Sequence, residues 1–235
     1  MNSIITLPTH CDYDAYLTEI EKVRDCVEGA AKVKRETYTY LPHPSQRDQN
    51  SKTAQQRYIE FIAGAEFDEQ PSDTLQTMLG KMRINESEFE LPPRLEYLLD
   101  DSDGDGQSLA ASIEYAVSNV IQTKYQIVVA DYMGLSGVDL ESVSLADREQ
   151  MNPRAALKHY NRESVVNWHF SRVNGRMQLS WICLLERGSE FDYSGMCHSE
   201  VLSYLILALD ENGDYYQQKI VSGKGGREDG ERVYI

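Results

Sequence analysis

An α+β fold is what this sequence predicts: N-terminal helices packed with a C-terminal antiparallel β-meander. Three observations predict it. Apolar residues recur at three- and four-residue spacing through the first 124 residues. Asn174 and Gly175 separate two runs of strand character, and Asn-Gly between such runs is the strongest short hairpin signal, because both central residues must take positive φ. A second turn-forming run, DENG at 210–213, separates two more.

The elements follow in order. Residues 12–27 form an amphipathic helix with Tyr13, Tyr16, Leu17, Ile20, Val23 and Val27 on one side, and Gly29 ends it. The polar run headed by Pro42 and Pro44 predicts a mobile loop near 42–54. Residues 55–62 are helical and run toward Gly64 and Phe67. Ser72 or Asp73 caps a helix over 74–82, with Leu75, Met78, Leu79 and Met82 on one stripe. The next helix covers 108–124, its apolar stripe being Leu109, Ile113, Ala116, Val117, Val120 and Ile121. YQIVVADY at 125–132 reads as a buried strand, broken by Gly134 and Gly137; 139–151 reads as a second mobile connector, and 157–160 as a short strand. The first hairpin joins 165–173 to 176–186, where Met177, Leu179, Trp181, Cys183 and Leu185 share a face and Trp168 and Trp181 anchor the core. The second joins 201–209 to 215–221. The expected division is therefore 1–124 mainly helical, 125–221 a strand plus a meander of about four strands, and 222–235 a flexible tail.

Composition narrows the function. At 235 residues with 41% hydrophobic content, the chain can bury a core. Fifteen tyrosines against five phenylalanines imply many half-buried or interfacial rings, since the phenol keeps a polar tip. A net charge of −15 is a poor surface for gripping nucleic acid or an anionic membrane. No apolar run reaches the roughly 18 residues a membrane span needs. Cys11, Cys26, Cys183 and Cys197 have no CxxC spacing, and reduced thiols in a cytoplasmic compartment are expected. Cys11 adjoins His10 and Cys197 adjoins His198; such neighbours are read as coincidence rather than ligands.

One run carries chemistry. DDSDGDGQSL at 100–109 matches the front of an EF-hand calcium loop: Asp101, Asp103 and Asp105 stand at positions 1, 3 and 5, and Gly106 at 6. Position 12 is Ser112, which cannot supply the closing pair of carboxylate oxygens, and Pro92 and Pro93 leave only a short turn before the loop. The simpler reading is a polar turn whose acidic groups suit the N-terminal end of the next helix. Calcium binding at Asp101–Asp105, in a regulatory or interaction module, is the alternative. The histidines, His10, His43, His159, His169 and His198, fall in no HExxH spacing; no GxSxG elbow exists, and SGKGG at 222–226 lacks the first glycine of a P-loop. No residue is assigned a catalytic, cofactor-binding or metal-binding role, and the chain is not expected to be an enzyme.

The order of segments adds a resemblance. KVRDCVEGAAKVK at 22–34 is followed by YLP at 40–42. After a polar connector comes RYIEFIAGAEFDEQPSDTLQTMLGKM at 57–82, then LPPRLEYLLDDSDGDGQSL at 91–109. A strand ending in Asp131 is followed by HYNRESVVNWHF at 159–170, LLERG at 184–188 and YLILALDENGDYY at 204–216. This series, spanning about 12–221, resembles the N-terminal half of a family of tailed-bacteriophage proteins first known only as a domain of unknown function and now read as portal, or head–tail connector, proteins. The segment after Gly134 departs from the family pattern. Family members also continue into stem helices and a clip; the chain is therefore expected to be a fragment or truncated gene covering the wing-like region, monomeric or weakly oligomeric alone.

The resemblance implies a structural virion protein at the capsid portal vertex, present in the host cytoplasm during assembly. Its implied partners are other portal subunits in a ring, commonly of twelve. They also include terminase, capsid or scaffold and tail adaptor proteins, and double-stranded DNA that passes through without specific binding. No membrane partner and no cofactor are implied.

Overall fold

The computed structural model describes residues 7–44, 50–83, 88–132, 154–173, 175–192, 196–210, 212–223 and 226–234. It is an α+β protein. The helices are α1 (Tyr13–Glu28), α2 (Ala30–Arg35), α3 (Lys52–Gly64), α4 (Gln70–Arg83) and α5 (Leu109–Thr123). The strands are β1 (Ile127–Tyr132), β2 (Ala155–Tyr160), β3 (Val165–Val173), β4 (Arg176–Asp192), β5 (Cys197–Leu209), β6 (Tyr215–Gly223) and β7 (Gly226–Tyr234). The chain divides into two compact units: a sheet unit of Met1–Leu17 with His159–Ile235, and a helical unit of Thr18–Lys158. The expected boundary at 124 therefore shifts. The N-terminal segment belongs with the sheet, and β1 pairs with β2 rather than with the meander.

In the sheet unit, β3 to β7 form an antiparallel meander in sequence order. Its alternation sorts side chains by face. Cys183, Tyr204, Ile206, Ala208, Tyr216 and Ile220 pack together on one face, joined by Val166 and Leu202. On the other, Ile182, Leu184 and Leu205 are buried. Leu184 and Cys183 are both fully buried, so the sheet is covered on both sides at β4. The N-terminal segment docks along β3: His10 N donates to Val166 O at 2.9 Å, Asn167 Nδ2 to Pro8 O at 3.0 Å, and Tyr13 Oη to Glu163 O at 2.7 Å.

Within the run 222–235, expected as a flexible tail, the described residues 222–223 and 226–234 are instead strand. β6 reaches Gly223 and β7 returns along it, with Tyr216 opposite Tyr234 and Val221 opposite Glu228. The meander thus has five strands. The charged sequence GREDGERVY concealed this, because charge is tolerated on an edge strand and helps keep other chains from pairing there. The ladder shifts register between Gln218 and Ile220, and Gly230 sits against the shifted residue; a Cβ there would lie 2.5 Å from Lys219 O. Arg232 stacks its guanidinium over Tyr216 at 4.7 Å.

In the helical unit the segment after α2 is pinned at its described ends. Tyr58 Oη donates to Leu41 O at 2.7 Å, and buried His43 stacks on Tyr58 with Nε2 3.2 Å from Ala54 O. Ser51 caps α3 through its side chain. Of the loop expected to be mobile at 42–54, residues 45–49 lie outside the described residues, as do Gly134, Gly137 and the connector 139–151. Gly29, at φ 98°, separates α1 from α2, a conformation that favours glycine. Among the described residues no helix is long and apolar enough to cross a membrane.

Gly230→Ala is expected to detach β7 while leaving β3–β6 paired. Hydrogen exchange should then show fast-exchanging amides confined to 226–234 and to the facing side of β6.

Candidate functional site

The acidic run folds as a closed turn. Asp101 Oδ1 accepts from Gly104 N at 2.8 Å and Gly106 N at 3.0 Å, and its Oδ2 accepts from Arg154 Nη2 at 2.6 Å. Asp103 Oδ1 accepts from Asp105 N at 2.9 Å and Gln107 N at 3.1 Å. Ser102 is fully buried; its N and Oγ both donate to Gln107 O, and its carbonyl accepts from Leu157 N at 2.7 Å. The loop thereby fixes β2 and starts α5, where Ser108 accepts from Ala111 N. Gly104 and Gly106 take φ 89° and 93°, which lets the amides turn toward the carboxylates.

This geometry bears on the calcium alternative. A calcium cage needs carboxylate oxygens aimed at one point. Here those of Asp101 and Asp103 accept from the loop's own amides, and Asp101 also pairs with Arg154. Ser112 is 1% exposed inside the helical unit. Calorimetry with calcium is the direct measurement; micromolar affinity lost in Asp103→Ala would reinstate the cage.

The larger surprise lies in α5. Its buried side is polar: Ser112, Asn119 and Thr123 are buried along with Leu109. Arg24 of α1 reaches this side, donating to Asn119 Oδ1 at 2.6 Å and Gln122 Oε1 at 2.8 Å. Thr123 Oγ1 returns to Asn119 O at 2.9 Å. The apolar stripe read from the sequence is therefore only partly buried: Leu109 is inside and Ala116 and Val117 are half-buried, but Ile113, Val120 and Ile121 are each about 40% exposed. Met78 and Met82 of α4 are about half exposed, and Tyr38 and Ile59 are 60% exposed. Ile121 also lines a groove of about 520 Å³ with Val23, Val27, Pro71 and Leu75. Sequence periodicity finds such a stripe but cannot say which side of a helix faces the protein.

In the sheet unit, Glu186 is the most elaborated ionisable group. Its Oε1 accepts from Tyr160 Oη at 2.6 Å; its Oε2 accepts from Ser203 Oγ at 3.1 Å and pairs with Lys219 Nζ at 2.9 Å. Burial pushes its carboxyl up, but the Tyr160 and Lys219 hydrogen bonds outweigh that and hold it below its ordinary 4.5. Every carboxylate oxygen is occupied, so the network ties β4, β5 and β6 together. Burial pushes the Cys183 thiol up to about 12, which makes it inert as a nucleophile at neutral pH. The histidines are dispersed: His43 lies under Tyr58, His198 against Phe191, His169 is exposed, and His10 stacks on Trp168 at 4.0 Å.

Asp101→Ala should remove the acceptor for two loop amides and for Arg154, lowering helical-unit stability by about 1–2 kcal/mol in urea. Glu186 gives a signed pH dependence. Because its folded carboxyl titrates below the unfolded value, its contribution is complete above about pH 4.5 and is lost as pH falls through the depressed folded value. Glu186→Gln should flatten that acid limb in denaturation measured from pH 6 down to about pH 3. The chain matches no protein-family model and no curated protein.

Proposed function

We propose that this chain is the wing-like N-terminal part of a bacteriophage portal subunit, a structural protein of the ring through which phage DNA is packaged and ejected. The observation that carries the reading is the exposure of Ile113, Val120 and Ile121 on α5. A helix that keeps Ile113, Val120 and Ile121 exposed while a row of its polar side chains is committed inward is suited to packing against another protein surface. The resemblance supplies what that surface is: neighbouring portal subunits, with capsid or scaffold, terminase and tail adaptor proteins as further partners.

Two further observations support it. The resembling blocks each fall on one stretch of the fold. KVRDCVEGAAKVK spans the end of α1 and α2, RYIEFIAGAEFDEQPSDTLQTMLGKM spans α3 and α4, and the acidic connector opens α5. YLILALDENGDYY spans the β5–β6 turn. The charge of −15 also suits a part of a DNA conduit that does not hold phosphates tightly. No bond-making step is assigned to the chain; its location is the capsid portal vertex, with the host cytoplasm as the place of assembly. The closed turn at Asp101 gives no support to the calcium module.

Mass spectrometry of particles purified after induction of the parent phage or prophage tests the reading. Peptides of this chain should be found in the particle at single-vertex abundance, far below the major capsid protein. The gene should lie next to one for a large terminase. Absence from particles that retain their terminase-proximal neighbours would reject it. Val120→Asp combined with Ile121→Asp should leave the chain folded by circular dichroism but reduce ring assembly at least tenfold, measured in the portal polypeptide that carries it.

A further inference from the structure

We infer that His10, Cys11 and Asp12 form a binding site for a zinc-class dication at the start of α1. Among the described residues these three are the set of metal-ligating side chains that gathers to within 4.8 Å. Cys11 Sγ lies 3.7 Å from His10 Nδ1, and Asp12 Oδ2 lies 3.7 Å from the same nitrogen. Around a tetrahedral zinc ion the nitrogen–sulfur separation is roughly 3.6 Å and the nitrogen–oxygen separation roughly 3.4 Å, from metal–ligand distances of about 2.3 Å to sulfur and about 2.0–2.1 Å to nitrogen and oxygen. The two separations from Nδ1 therefore stand close to edges of one coordination tetrahedron, and the sulfur and the carboxylate oxygen lie within 4.8 Å of each other.

The imidazole is held for this. Its ring stacks on Trp168 at 4.0 Å with a 13° angle between planes, and its backbone N is bonded to Val166 O at 2.9 Å. Asp12 N donates to His10 Nδ1 at 3.2 Å. An amide can only donate, so Nδ1 presents a lone pair and the proton sits on Nε2. Metal binding takes that lone pair and releases the amide to water at an exposed site. The Cys11 thiol loses its proton to solvent as the sulfur–metal bond forms, and the Asp12 carboxylate supplies the third donor.

A thiolate, an imidazole and one carboxylate select a borderline-soft, four-coordinate ion over calcium or magnesium, which take oxygen shells. Three protein donors leave the fourth position for water or an external ligand. The bound ion would fasten the start of α1 to the residue that stacks on β3, so it would also raise the melting temperature of the sheet unit.

Cobalt(II) added to the reduced full chain tests this. One equivalent should give a near-ultraviolet thiolate charge-transfer band, strong visible bands of four-coordinate cobalt, and quenching of Trp168 emission; zinc should bleach them. Cys11→Ser should abolish the charge-transfer band, and Cys11 is exposed, so its loss leaves the fold in place. Cys26→Ser and Cys197→Ser should leave the spectrum unchanged. A weak six-coordinate spectrum, or a charge-transfer band that survives Cys11→Ser, overturns the site.

Discussion

Arg24 sets the constraint on which the helical unit turns. Its guanidinium stands half-buried among helices, where an unpaired charge would be costly. It is satisfied by two side-chain amides of one helix, Asn119 and Gln122. That pairing holds the polar side of α5 inward and leaves Ile113, Val120 and Ile121 outward. The helix reads as amphipathic in the ordinary sense but is turned so that a polar row is buried beside, rather than opposite, its apolar stripe. Three residues that would be core in a self-contained domain, Ile113, Val120 and Ile121, lie at the surface, and this links packing to the proposed role in assembly.

The acidic connector follows the same logic of satisfying polar groups. Five consecutive residues with three carboxylates look like a cation cage in one dimension. In three dimensions two of those carboxylates serve backbone amides that would otherwise be unpaired, and one also meets Arg154. The result is a rigid turn that joins the end of the 3₁₀ segment Pro93–Leu99 to α5 and to β2. Glu186 repeats the pattern in the sheet unit, where Tyr160, Ser203 and Lys219 occupy both oxygens of a carboxylate on a covered sheet face. Both sites have the residues of chemistry and the geometry of scaffolding. His10, Cys11 and Asp12 differ, because a half-buried imidazole, an exposed thiol and an exposed carboxylate stand close together.

The sequence by itself determined much of the fold. Periodicity predicted α1, α3, α4 and α5 to within a few residues, and Asn-Gly with DENG located both hairpins, because helix stripes and positive-φ turns are local properties of the chain. It also places Ser112 where a calcium loop needs its closing Glu, which weighs against the cage by itself. β7 was not legible, since a charged edge strand has no apolar alternation to find. The docking of 7–17 on the sheet was equally hidden, because it rests on hydrogen bonds between residues about 150 apart, such as Tyr13 to Glu163 and Asn167 to Pro8. Only the tertiary structure decided which face of α5 is buried, where the carboxylates of the acidic run are spent, and that His10 is held flat on Trp168 beside Cys11 and Asp12. Each of these depends on a partner distant in sequence, and a hydrophobic or acidic pattern records what a side chain is, not which group meets it.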